Sequence, residues 1–192
     1  MASALPTASP TRSVVPTPSP SVTTPSPSVT IPYPIGIHLN SVSFSSLESA
    51  GCSVCMSSTY ATSTTSAMIN ACTGPYLFVG ATYDGASNFY LGAFSSAAEV
   101  LKQTALNSPH LSNGVYWYFT SGKSFGFLAG TDLKQDAADD GNTETEYRLS
   151  WHIDINVGGY RAGSNKGLND DTRWRKYIYN CPGPSQHHEF QT

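Results

Sequence analysis

The chain has 192 residues, 10 Lys+Arg against 13 Asp+Glu, a formal net charge of -3 and only 12% charged residues. That length suits one domain of ordinary size with a tail. With no basic excess to neutralise phosphates and no run of about 18 apolar residues to cross a bilayer as a helix, the sequence excludes an ordinary nucleic-acid binder and a helical membrane span.

Residues 1–30 form a Pro/Ser/Thr-rich arm. Nine of the 13 prolines lie within the first 34 residues, and Arg12 is the only Lys, Arg, Asp or Glu before Glu48. A seven-residue unit occurs twice in tandem, Thr17-Pro-Ser-Pro-Ser-Val-Thr23 and Thr24-Pro-Ser-Pro-Ser-Val-Thr30. Such a segment cannot bury a core and favours extended polyproline II. Its alternating Ser-Pro units present hydroxyls, making Thr17, Ser19, Ser21, Thr24, Ser26 and Ser28 candidates for O-glycosylation. Met1 to Val15 has no apolar core and is interrupted by Pro6 and Pro10, so a removed leader or another export route is expected. No Asn-x-Ser/Thr acceptor is present.

Residues 31–45 read as an edge or donated strand and linker. Val29, Ile31, Tyr33, Ile35, Ile37 and Leu39 alternate with Thr30, Pro32, Pro34, Gly36 and His38, a period of two that predicts a strand with one buried face. Pro32 and Pro34 remove N–H groups from a single edge, so only the other edge can carry a ladder. That strand either joins its own domain's sheet or adds to a neighbouring molecule's.

Residues 46–183 are expected to form a disulfide-stabilised domain, with 184–192 a tail. Cys52, Cys55, Cys72 and Cys181 are even in number in a Ser/Thr-rich chain, which suggests two disulfides, with all three pairings open. Zinc would require Cys72 and Cys181 to complete a Cys52–Cys55 pair, and a redox motif would require a βαβ setting. Val42–Thr73 shows little pattern beyond a helical turn at Ala67–Cys72, and disulfides would have to fix it. Strands follow at Tyr76–Tyr83 and Asn88–Phe94 around Asp84-Gly85, then a helix at Ala97–Leu106. Val115–Thr120 and Ser124–Leu128 flank Ser121-Gly122-Lys123 as a second hairpin. Tyr147–Ile155 alternates with Tyr147, Leu149, Trp151, Ile153 and Ile155 inward and Arg148, Ser150, His152 and Asp154 outward. Tyr160–Ala162 and Trp174–Asn180 complete about seven short strands, which predicts an all-β antiparallel sandwich or jelly roll with one short helix.

Two resemblances accompany this reading. Residues 16–30 resemble the proline-rich, O-glycosylated segments of plant and algal extracellular-matrix glycoproteins, which implies hydroxylated prolines and glycosylated serines. Residues 74–182 resemble an uncharacterised domain of secreted protist and algal proteins through Leu77-Phe-Val-Gly-Ala81, His110-Leu-Ser-Asn-Gly-Val-Tyr-Trp117, Gly122-Lys-Ser-Phe-Gly126, Arg148-Leu-Ser-Trp-His152, Gly158-Gly-Tyr-Arg-Ala-Gly163 and Trp174-Arg-Lys176. This second likeness implies secretion and adds nothing further about function.

No motif singles out an enzyme or a cofactor. Ser150, His152 and Asp154 are a hydrolase's residue types, but alternate strand residues stand about 7 Å apart, too far for a direct relay. Asp132, Asp136, Asp139, Asp140, Glu144 and Glu146 form an acidic run whose alignment on an EF-hand fails, leaving a solvated loop or a looser calcium site. Gly158-Gly159 and Gly163–Gly167 lack phosphate-loop spacing and read as turns. Tyr116, Tyr118, Trp174 and Tyr177 are candidates for stacking on sugars. The expectation is an extracellular, non-enzymatic structural subunit that associates head to tail with other copies through its arm and residues 29–39, the alternative being a carbohydrate-binding module on a glycosylated stalk.

Overall fold

The computed structural model describes Met1, residues 33–135, Asp139 and residues 146–183. The O-glycosylation candidates, Val29, Ile31, Asp136, Asp140, Glu144 and the tail lie outside the described residues. Two antiparallel five-stranded sheets pack face to face. The first joins β1 (Ile37–Leu39), β4 (Leu91–Ser96), β3 (Tyr76–Tyr83), β10 (Trp174–Cys181) and β2 (Ser53–Thr59) in that order. The second joins β5 (His110–Ser112), β6 (Val115–Thr120), β7 (Ser124–Leu128), β8 (Arg148–His152) and β9 (Gly159–Ala162). The short helices are α1 (Phe44–Ser49), α2 (Ser66–Asn70) and α3 (Ala97–Val100). The expected all-β sandwich is therefore the fold.

Alternation along the strands builds the central core. Leu77, Val79, Ala81, Leu91, Ala93 and Ile178 from the first sheet meet Val115, Trp117, Phe119, Phe125, Phe127, Leu149 and Trp151 from the second. Both predicted hairpins form, with Leu91 opposite Ala81 across Asp84-Gly85 and Thr120 opposite Ser124 across Ser121-Gly122-Lys123.

The outer face of the first sheet is also apolar, because a strap of residues 33–52 crosses it. Tyr76, Phe78, Phe89, Phe94 and Tyr179 are buried there, with Tyr33, Phe44 and Tyr177 packed against them. Tyr33 stacks on Phe94 at 4.8 Å, and its hydroxyl donates to Pro182 O at 2.8 Å. Gly92 makes room for Phe78, whose Cζ would lie 2.2 Å from a Cβ at that position. Ser43 caps α1, accepting from Ser46 N at 3.0 Å while its own N–H donates to Ser46 Oγ at 3.1 Å. Cys52–Cys181 closes the strap, and Cys55–Cys72 joins β2 to the segment after α2. With all four cysteines paired, the zinc and redox alternatives fall.

Residues 37–39 pair with β4 of the same chain, Ile37 opposite Ala93 and Leu39 opposite Leu91. Of the two arrangements expected for this segment, the structure shows the intramolecular one. Ile35 departs from the predicted buried row and is 76% exposed, because the chain turns at Gly36 (φ 93°), whose N–H donates to Asn113 O at 2.9 Å.

Three further expectations are corrected. The helix predicted over Ala97–Leu106 stops at Val100, because Thr104 is captured by β6: its N–H donates to Phe119 O at 2.8 Å and its hydroxyl accepts from Phe119 N at 3.1 Å. The strand predicted over Tyr147–Ile155 spans Arg148–His152, with Tyr147 and Ile155 exposed and Asp154 turning the chain at φ 59°. Its outward row is not all solvated. Arg148 and Ser150 are buried, and Arg148 donates to Asp139 Oδ1 at 2.6 Å and also to Asp132. The stretch from Val42 to Thr73 that looked patternless contains α1, β2 and α2.

Gly158 and Gly159, read as a turn, lead into β9 against Tyr60 instead. A Cβ at Gly158 would lie 1.6 Å from Tyr60 O, whose partner is the Gly159 N–H at 2.7 Å. We expect Gly158→Ala to cost about 3 kcal/mol through overpacking against fixed backbone. Gly167→Ala, with φ 71° and open space around it, should cost only about 1 kcal/mol. Urea midpoints of the two variants check this; equal losses would contradict it.

Candidate binding groove

At one end of the first sheet the chain brings together residues distant in sequence. Tyr83 ends β3, Asn88 and Tyr90 lie in the hairpin before β4, Asn40 follows β1, Asn165 follows β9, and Trp174 opens β10. With Thr82 and Ala86 they line a groove of about 360 Å³, and among the described residues no charged side chain lines it. That volume lies within the usual range for small-ligand sites, about 300–1,000 Å³.

Trp174 is its floor. The indole is 8% exposed and meets Tyr83 at 5.9 Å and Tyr90 at 5.3 Å, both rings perpendicular to it at 88°. These edge-to-face contacts hold three aromatic rings in fixed relative orientation. Its backbone is set by Asp171, whose Oδ1 accepts from Arg173 N at 2.7 Å and from Trp174 N at 3.1 Å. The Arg173 guanidinium lies 5.5 Å from the centre of the Tyr83 ring and is paired with Asp171 at 3.2 Å.

The polar wall is amide-rich. Asn88 Nδ2 donates to Asn40 O at 2.8 Å, and Asn40 N donates to Tyr90 O at 3.1 Å. Thr82 Oγ1 donates to Asn88 O at 2.8 Å, and Asn165 Nδ2 donates to Ala162 O at 3.2 Å. Asn40 adopts φ 51°, the left-handed conformation that Asn tolerates better than most residues. Rigid aromatic surface beside neutral amides suits a ligand with apolar faces and many hydroxyls.

Of the predicted stacking residues, only Trp174 reaches this groove. Tyr118 is fully buried and donates to Leu149 O at 2.8 Å, so it presents nothing to a sugar. Tyr177 is half-buried against Phe44 and Phe89 and accepts from Arg175 Nε at 3.1 Å. Tyr116 is half-buried beside Leu128 and Leu133 on the other sheet. Tyr83, Tyr90, Asn40, Asn88 and Asn165 were missed. No period or motif links them; the one local signal was an aromatic pair, Tyr83 and Tyr90, bracketing a hairpin turn.

The Ser150, His152 and Asp154 set is not a relay. Ser150 Oγ is buried without a hydrogen-bond partner among the described residues. Asp154 instead accepts from Ser66 N at 2.7 Å, Ser66 Oγ at 2.5 Å and Ser121 Oγ at 2.9 Å, pinning α2 to the β6–β7 turn. Those bonds, led by Ser66, hold its carboxyl below the ordinary range. Burial and the nearby Lys176 push His152 down. Within the acidic run, Asp132 and Asp139 are engaged by Arg148. Burial of Asp139 nevertheless raises its carboxyl, the two neighbouring arginines opposing the effect.

No family model matches the chain, and no curated protein or solved structure is detectably similar to it. What the fold defines is a class: a two-sheet antiparallel β-sandwich closed by two disulfides, in which no described helix is long and apolar enough to cross a membrane.

Proposed function

We propose that the protein is an extracellular, non-catalytic carbohydrate-binding module for a neutral glycan, carried on a Pro/Ser/Thr-rich stalk. The observation that carries this is the groove, with no charged residue in its described lining, in which Tyr83 and Tyr90 present ring surface, held by the nearly buried Trp174, beside Asn40, Asn88 and Asn165. Sugar rings offer apolar C–H faces to aromatic side chains and hydroxyls to amides, and a groove without charge favours sugars without charge. Two disulfides support an oxidising, extracellular setting. With β1 satisfied on its own β4, association with other copies does not require strand donation.

The test is a neutral-oligosaccharide array, followed by titration of the best hit with tryptophan fluorescence as the readout. Trp117 and Trp151 are fully buried, so a ligand in the groove would act on Trp174. Tyr83 is 41% exposed and can be removed without opening the core. Tyr83→Ala should weaken binding at least about tenfold, a loss of roughly 1.4 kcal/mol, with the urea midpoint nearly unchanged. Unaltered affinity in that variant would refute the groove as the site.

A further inference from the structure

The groove's chemistry and the chain's own arm are complementary. The described lining of the groove carries no charge, and the arm from residue 2 to residue 32 has a single charged residue, Arg12, with 13 Ser/Thr and eight Pro. Ser/Thr-rich segments interspersed with proline are the composition of O-glycosylated stalks. The two tandem heptads each place a serine between prolines, Ser19 and Ser26, so one arm carries the same display twice.

Reach separates a partner's arm from the chain's own. The arm joins the domain at Tyr33, which is held by its stack on Phe94 and its bond to Pro182 O. A polyproline II segment advances about 3.1 Å per residue and is stiff over several residues, so residues 17–33 would span roughly 50 Å. A domain of about 150 residues has a radius of gyration near 15 Å. An arm of this composition therefore outreaches the domain that bears it. Tyr33 sits beside Pro182, just past the end of β10, whereas the groove lies at Trp174, where β10 begins, so the second heptad would reach its own groove only by doubling back over the domain.

We propose that the partner is a second copy of this chain: the groove of one copy binds neutral O-linked sugars on the Ser/Thr-Pro heptads of another copy's arm. This rests on the carbohydrate reading of the groove and adds who presents the sugar. The contact is heterologous, groove to arm, so repetition gives head-to-tail rings where it closes and open chains where it does not. Two equivalent heptads per arm give a partner's groove two alternative places to bind.

The test uses the full-length chain secreted from a host that adds O-linked sugars, with sedimentation velocity over a concentration series and mass spectrometry of the arm. Two variants isolate the two halves of the contact. One replaces Thr17, Ser19, Ser21, Thr24, Ser26 and Ser28 with Ala; the other is Tyr83→Ala. The native chain should form concentration-dependent oligomers, and each variant alone should associate at least about tenfold more weakly. Mixed together, the variants should restore one productive pairing, intact groove with intact arm, and yield a heterodimer. An arm without sugar, oligomers that persist in the six-Ala variant, or a native monomer at all concentrations would overturn the proposal. Sugar binding on the array together with a native monomer would leave the carbohydrate reading standing and remove only the partner. Failure of both array and association would remove both.

Discussion

Raising the pH from 7 to 10 should stabilise this protein, and Lys176→Met should abolish that dependence. Lys176 is fully buried on β10, with Nζ donating to Thr62 O at 2.6 Å and Thr64 Oγ1 at 2.7 Å and lying 5.9 Å from the centre of the Tyr60 ring. Among the described residues no carboxylate pairs with it, and burial lowers its pKa to about 7. An unfolded lysine titrates near 10.4. Between those values the unfolded chain holds a proton that the folded chain has released, so stability increases with pH, by at most about 1.4 kcal/mol per unit. Below pH 7 both states are protonated and the full cost of the buried ammonium is present. His152, pushed down by burial, adds its own loss only below the ordinary histidine range. Above about pH 10 the trend reverses, because burial holds the Tyr60 phenol protonated in the fold while an unfolded tyrosine ionises. Denaturant unfolding of both proteins across this range measures the two slopes. Parallel slopes would show that the buried amine is not the source.

The second large effect concerns the disulfide that closes the strap. Cys52 and Cys181 are 129 residues apart. Closing a loop of that size restricts the unfolded chain by about 5 kcal/mol in the entropic model, and loss of a native disulfide from a secreted domain commonly costs about 2–5 kcal/mol. We expect the Cys52→Ala/Cys181→Ala double variant to lose about 4 kcal/mol and to bind dyes specific for apolar surface before global unfolding. The strap covers Phe78, Phe89 and Phe94, and its other described anchors at this end are the Tyr33 contacts. The Cys55→Ala/Cys72→Ala variant is the comparison. Its separation is only 17 residues, so the same model predicts a smaller loss, about 3 kcal/mol, without dye binding. Equal losses and equal dye binding would refute the special role of the strap.

The strands with period-two patterning and strong turn chemistry were legible in the sequence. Val115–Thr120 and Ser124–Leu128 have the predicted bounds, because Ser121-Gly122-Lys123 fixes the hairpin locally and Val115, Trp117 and Phe119 alternate cleanly. The even cysteine count in a Ser/Thr-rich chain announced two disulfides. Their pairing was open, because pairing depends on which strand ends meet in space.

The misreadings share one physical cause. Alternation identifies which residues share a face, but another segment decides whether that face meets water. Residues 33–52 cover the aromatic outer row of the first sheet, so Tyr76–Thr82 is buried on both sides. Asp132 and Asp139 meet Arg148 over the second sheet, so a row that reads as solvated contains buried charge. Thr104, within a helix-compatible stretch, is drawn out by Phe119.

By itself the sequence determined the all-β class, the two local hairpins, the charge-poor arm and the presence of two disulfides, since each depends on composition or on neighbours within a few residues. Only the tertiary structure decided the cysteine partners, the placement of β1 on its own β4, the buried amine of Lys176 and the groove. Asn40, Tyr83, Tyr90, Asn165 and Trp174 become neighbours only because β1, β3, β4 and β10 lie side by side and the turn after β9 ends near them, an adjacency that no local pattern in the chain encodes.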